Sequence, residues 1–150
     1  HAALTANLQV KNFDLSVTLR GSFDFQILNQ YRMLWENFAR GADHNFPRSI
    51  LRNKYNHYVA TAPAYVSYYV EDGDFVKIDN ITLGYTFRFK NPKNPIRTLR
   101  LYASGLNLYT FTRYQGVDPE INFNGLTPGV DYVAGYPTTR TFTFGVKLGF

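Results

Sequence analysis

Residues 140–150 read RTFTFGVKLGF, and from Thr141 onward the side chains alternate without a break. Phe142, Phe144, Val146, Leu148 and Phe150 are large and apolar, whereas Thr141, Thr143, Gly145, Lys147 and Gly149 are polar, charged or bare. A period of two is the signature of a strand whose two faces meet different surroundings. Chain ends ordinarily fray, so a two-faced strand running to the last residue predicts a partner that holds it.

The same period recurs four more times. Leu4, Ala6, Leu8 and Val10 alternate with Thr5, Asn7 and Gln9. After a short turn around VKNFD (10–14), Phe13, Leu15, Val17, Leu19, Gly21, Phe23 and Phe25 occupy the odd positions of a second segment. Ile81, Leu83, Tyr85, Phe87 and Phe89 do so in a third, which stops at the two prolines of NPKNPIR (91–97). Proline has no N–H for a ladder, so those residues mark a turn. TLRLYASGLNLYTFTRY (98–114) begins in phase at Leu99, Leu101 and Ala103, after which Leu106 and Leu108 carry the apolar character. Either a bulge at Ser104 and Gly105 shifts the face, or the strand leaves its apolar surroundings there. Helical spacing stands out only in QYRMLWENFAR (30–40), where Met33, Leu34, Trp35 and Phe38 fit a short amphipathic turn or helix.

Strand length and loop length together select the architecture. The segments run to about ten residues, against ~5–6 in globular sheets and ~9–11 for a tilted membrane strand. Connections alternate strictly: short at Lys11, long over 26–72, short at NPKNPIR, long over 115–138. An up-and-down sheet then carries every short turn at one end and every long loop at the other. Outer-membrane barrels are built this way, with short periplasmic turns and long extracellular loops. The fold class is therefore all-β: five antiparallel strands of a transmembrane β-barrel. Leu15, Val17, Leu83 and Tyr85 are expected to face lipid, and Thr18, Arg20, Thr82 and Arg88 the lumen. Aromatics at strand ends predict interface girdles, with Phe23 and Phe25 at the outer rim and Phe87, Phe89 and Phe150 at the inner. A soluble sandwich predicts shorter strands and polar outer faces. Closing a lumen takes about eight strands, so residues 1–150 are expected to be the C-terminal part of a longer chain.

Composition narrows the chemistry. The net charge of +5 comes from scattered basic residues rather than a patch, which argues against nucleic acid as a partner. The absence of cysteine excludes a disulfide framework and thiolate chemistry. No apolar run approaches the ~18 residues of a membrane helix, and a mean hydropathy of −0.28 is what alternating barrel strands average to. His1, His44 and His57 lack metal-ligand spacing, and EDGD (71–74) lacks the spacing of a calcium loop. Phosphate-cradling loops and nucleophile elbows are missing. No enzymatic activity, metal or cofactor is expected.

Three stretches carry a specific resemblance. DGDFVKIDNITLGYTF (72–87), LRLYASGLNLYTFTRYQGVDPE (99–120) and YPTTRTFTFGVKLGF (136–150) resemble the closing strands of the SusC/RagA family of TonB-dependent outer-membrane transporters. The likeness is strongest in NLYTFTRYQGVDPE (107–120) and TRTFTFG (139–145), and absent over 26–70. It implies a barrel of 22 strands preceded by a plug domain and a TonB-binding segment, neither present in these residues. It implies an importer of a nutrient such as oligosaccharide or peptide, in an outer membrane of the Gram-negative type, with a SusD-like surface lipoprotein as lid and a periplasmic C-terminus. The last strand, with Phe142, Phe144, Val146, Leu148 and Phe150, would be the insertion signal for the barrel-assembly machinery. The remaining partners would be the rest of the barrel, TonB through the missing part, and lipid. Two other classes stay open: a SusC-like scaffold in an assembly or secretion complex, and a soluble carbohydrate-binding β-domain.

Ligand or lid contacts are expected from the long connections. Trp35, Arg40, Arg48 and Tyr55 lie in the aromatic and basic stretch 31–69, and Asp118 and Glu120 in GVDPE (116–120). Aromatics with Arg and Asn either stack on sugars and grip peptide groups or pack the loop against itself. Around its proline, GVDPE reads first as a structured loop base.

Overall fold

A computed structural model describes residues 1–37, 39, 45–52, 64–91, 95–120, 129–132 and 136–150. Arg40 and Tyr55, with His44 and His57, lie outside the described residues. In chain order the elements are β1 (Ala2–Val10), β2 (Phe13–Ser22), β3 (Gln26–Asn29), α1 (Gln30–Trp35), β4 (Val70–Asp72), β5 (Phe75–Arg88), β6 (Thr98–Thr112), β7 (Val130–Asp131) and β8 (Thr141–Gly149). Short 3₁₀ turns occupy Arg48–Arg52 and Ser67–Tyr69. The chain divides into two compact units.

The first unit comprises His1–Phe23, Phe75–Thr112 and Thr138–Phe150. It is one antiparallel sheet in the order β1-β2-β5-β6-β8. The register turns the sequence alternation into rows across all five strands. Leu8, Leu15, Leu83, Ala103 and Phe144 form one apolar row, with Ala6, Val17, Ile81, Gly105 and Phe142 beside it. Between them runs Asn7, Ser16, Thr82, Ser104 and Thr143, directed to the opposite face. Hydroxyls knit that polar face: Thr82 donates to Ser104 (3.0 Å), and Thr5 and Thr18 are bonded at 3.2 Å. The apolar face carries large side chains in the open. Leu8, Leu83 and Phe144 are 59, 50 and 80% exposed, an arrangement suited to hydrocarbon rather than water.

Aromatic pairs bound this face along the strands. Phe13, Tyr85 and Phe87 make edge-on contacts at the short-turn end (4.5 and 4.6 Å between centroids), and Tyr109 and Phe111 do so at the other (4.7 Å). Phe111 is opposite Val76, and Val76 and Tyr85 are ends of a nine-step stretch of β5. At ~3.3 Å per residue that is about 30 Å of strand, or roughly 23 Å of height at a tilt near 40°. An outer-membrane apolar band is about 25 Å tall, so the spacing of the two girdles fits one membrane leaf pair.

Two expectations are corrected here. Strand β2 stops at Ser22, because Asp24 takes a left-handed φ of 62°. Phe25 therefore leaves the strand pattern, and the aromatic pair on this face at the long-connection end is Tyr109 and Phe111. The irregularity of β6 lies beyond Ser104 and Gly105, which are paired in register. Asn107 (φ 53°) and Leu108 bulge opposite Asp79, which itself falls outside the pairing with β2. Leu108 folds back over Gly105, where an added Cβ would lie 2.6 Å from it. Asp79 then reaches Arg20 as an ion pair (2.8 Å). The two bulges face each other: β5 shifts from odd to even positions between Ile81 and Ile78, β6 keeps its odd positions from Gly105 to Tyr109, and the apolar face continues through Ile78 and Tyr109.

Near the short turns, a second ion pair crosses the polar face. Arg100 of β6 donates to Asp14 of β2 through Nε (3.0 Å) and again through Nη2. Strand β5 runs between them, and the residue beneath the pair is Gly84. A Cβ at Gly84 would sit 2.6 Å from both partners. The glycine is required by what passes above it.

The second unit comprises Asp24–Asp74 and Arg113–Pro137. Its sheet has β3 at the centre, antiparallel to β4 and parallel to β7. Among its described residues, Ile27, Met33, Ile50, Tyr69 and Tyr114 are the buried apolar ones. The expected helix is α1, ending at Trp35. Asn29 caps it, its side-chain oxygen accepting from the Arg32 N–H (3.0 Å). Six residues cannot hold a helix in isolation; Met33 burial and the contacts of Arg32 supply the rest.

Candidate functional site

The long connections carry the functional expectations, and within the second unit they converge on Arg32. Its guanidinium donates to both oxygens of Glu36 (2.9 and 3.1 Å), to Glu71 Oε1 and to the Tyr68 hydroxyl (3.3 Å). The Tyr68 ring lies 5.6 Å from the guanidinium carbon. Glu36 is wholly buried, and the Arg32 and Glu71 side chains are 12 and 10% exposed. Burial works against the Arg32 charge, but its hydrogen bonds to Glu36 and Glu71 outweigh it and hold its pKa above the ordinary value.

Glu71 is shared more widely. Oε1 also accepts from Asn29 Nδ2 (3.2 Å), while Oε2 accepts from the Gln115 N–H (2.8 Å). Beside it, Tyr114 donates its hydroxyl to Asp131 on β7. Burial, then the bond to Asp131 and its charge, pushes the Tyr114 phenol up. Tyr69 is likewise raised, by burial and then by the charge of Glu36.

The carboxyl of Asp131 is raised by burial; the Tyr114 bond opposes this and the charges of Asp118 and Glu71 add to it. A folded pKa above the ordinary value favours folding fully below that ordinary value, and the benefit is lost as pH rises through the raised one. Asp131→Asn keeps an oxygen for the Tyr114 hydroxyl and removes the charge. Amide exchange at Tyr114 and Gln115, corrected for intrinsic rate, should therefore slow a few-fold at pH 7 in this variant. Its variation between pH 4 and 7 should shrink.

The expected contact residues take separate positions. Trp35 closes α1 with its ring 5.8 Å from that of Tyr31. Arg48 is exposed at the start of its 3₁₀ turn. Asp118 accepts from the Glu120 N–H (2.9 Å), the side-chain-to-backbone bond of a structured loop base. EDGD is the end of β4 and the two residues that follow it: Asp72 accepts from the Asp74 N–H (3.2 Å), and Asp74 from the Asp24 N–H (2.7 Å). Arg32, Glu36, Tyr114 and Asp131 escaped the sequence reading. The local signals were the Arg32–Glu36 spacing of four on a helix and Asn29 ahead of it; the joins to Glu71 and Asp131 are long-range and leave none. Among the described residues no cluster of three or more metal-ligating side chains occurs.

Comparison with known proteins fits this geometry. No family model matches the chain. TonB-dependent receptor P3 of Formosa agariphila is 33% identical over 169 residues, spanning 96% of this chain and 16% of that protein. TonB-dependent receptor SusC of Bacteroides thetaiotaomicron is 32% identical over 158 residues, spanning 98% and 15%. Among solved structures, the RagAB peptide importer in its open-open state superposes with a TM-score of 0.82 over 99% of this chain and 17% of that one, at 22% identity. The chain belongs to the SusC/RagA family. Its five-stranded sheet has the fold of part of a transmembrane transporter barrel. The closed-closed state of RagAB matches with a TM-score of 0.78 over 93% of the chain. This SusC/RagA chain spans about a sixth of the length of the curated relatives it matches.

Proposed function

We propose that these residues form the C-terminal wall and two extracellular connections of an outer-membrane importer. Support comes first from the sheet itself: an exposed apolar face between two aromatic girdles, with a hydroxyl-lined face behind it. The likeness to TonB-dependent receptors, one of them SusC, and to a peptide importer supports uptake of a nutrient such as peptide, with oligosaccharide the other cargo that the sequence resemblance implies. A SusD-like lipoprotein would cap the long connections, and TonB would act on a plug outside these residues. The remaining strands would close the sheet on β1 and β8, whose outer edges find no partner among the described residues.

Topology tests the reading directly. Asn45 is exposed in the first long connection. In the full-length receptor, Asn45→Cys is expected to react with an impermeant maleimide on intact cells. Labelling only after the outer membrane is broken would reverse the orientation. The matching position in the second connection, Asn124, lies outside the described residues.

A further inference from the structure

Glu71 bonds to two segments distant from it in sequence, 29–32 and 115, and its two oxygens are divided between the long connections. Oε1 serves Arg32 and Asn29 in the first connection, and Oε2 holds the Gln115 N–H in the second. A backbone tie also joins these connections: β3 pairs with β7, and the Leu28 N–H donates to the Gly129 carbonyl (2.8 Å). Arg32 bonds to Glu36, Glu71 and Tyr68, and among the described residues no hydrogen bond joins it to Gln115.

We infer that the Arg32–Glu71 pair is a clamp that makes the two long connections move as one part at Gln115. The carboxylate is aimed by Arg32 and Asn29 on one oxygen, which presents the other to the Gln115 N–H. Loosening the arginine end then frees the glutamine end, although no hydrogen bond joins the two among the described residues. This goes beyond the importer reading: it concerns how the connections are joined, and it holds for any cargo.

The chemistry of the carboxylate supplies the test. Glutamine at this position has one acceptor oxygen where glutamate has two. Charged Arg32, with Asn29, draws that oxygen to its side, so in Glu71→Gln an amide NH2 faces the Gln115 N–H and cannot accept from it. Arg32→Lys keeps the charge but loses the planar fork that bridges Glu36, Glu71 and Tyr68. Backbone amide exchange is measured on the purified full-length receptor carrying Glu71→Gln, Arg32→Lys or the exposed control Arg48→Lys. Exchange at Gln115 is expected to rise on the order of tenfold or more in Glu71→Gln, from loss of a bond to a charged acceptor. It should rise several-fold in Arg32→Lys and stay unchanged in the control. Protection within β3 and β4 should persist throughout. The clamp is refuted if Glu71→Gln leaves Gln115 unchanged. Coupling is refuted if Glu71→Gln raises exchange and Arg32→Lys does not. It is refuted equally if both variants also strip protection from β3 and β4, because the network would then be a general support. Exchange does not report uptake, so failure here leaves the importer reading standing, and failure of the maleimide test leaves the clamp standing.

Discussion

Replacing Ile81 with arginine in the full-length receptor is expected to collapse the folded outer-membrane population, while Thr82→Arg, one residue on, leaves it near normal. Ile81 lies midway between the Tyr85 and Val76 rows, on the apolar face. An arginine at the bilayer midplane costs about 2–4 kcal/mol, falling to ~0–1 near the interfaces. Leu83→Arg should therefore be intermediate and Tyr85→Arg mild. Thr82 points the other way, into the hydroxyl row with Ser104. Heat-modifiable mobility and surface-exposed levels of the four variants measure this gradient. Equal tolerance along the series would remove the membrane assignment, and an effect at Thr82 matching that at Ile81 would remove the facing.

Arg32→Met is the second large effect, and it falls on the long connections rather than the sheet. The substitution keeps much of the side-chain volume but leaves Glu36 wholly buried and Glu71 nearly so, with no cation between them. Breaking a buried ion pair from one side costs about 3–5 kcal/mol, because the surviving carboxylates keep their burial and lose this cation. Limited proteolysis should then cut within the connections at much lower protease concentration than in the parent receptor. The triple variant Arg32→Met, Glu36→Leu, Glu71→Met removes all three charges together. It should recover most of that resistance, since well-packed apolar replacements of buried ion groups are often neutral or better. Persistent sensitivity in the triple variant would show that geometry, not charge compensation, holds the segment.

Strand identity and facing were legible because they are written locally. The alternation Leu15, Val17, Leu19 and Ile81, Leu83, Tyr85 needs no knowledge of the partner strand, and the period of two names the face. The paired bulges were legible only as a change of phase near Gly105. Their position depends on Asp79 meeting Asn107 across the ladder, and no one-strand pattern carries that. Phe25 was misplaced for a similar reason. Its apolar character continued the alternation of β2, yet the left-handed turn at Asp24 ended the strand first. The loop network was the least visible part. Arg32 and Glu36 are four apart, but Glu71 and Asp131 enter through β4 and β7, short strands defined by their pairing to β3. Strands of two or three residues have almost no propensity signal of their own.

The bridge over Gly84 has a mechanical meaning. Adjacent strands are held rung to rung, and a ladder of rungs resists separation better than it resists sliding. A diagonal member changes that. Arg100 and Asp14 fasten β6 to β2 across the strand between them, as a brace triangulates a frame. Sliding either interface by one residue displaces one end of the brace by ~3.3–3.4 Å, more than a hydrogen bond can follow. One ion pair thus checks the alignment of two interfaces, and the space it needs is the side chain that Gly84 does not have.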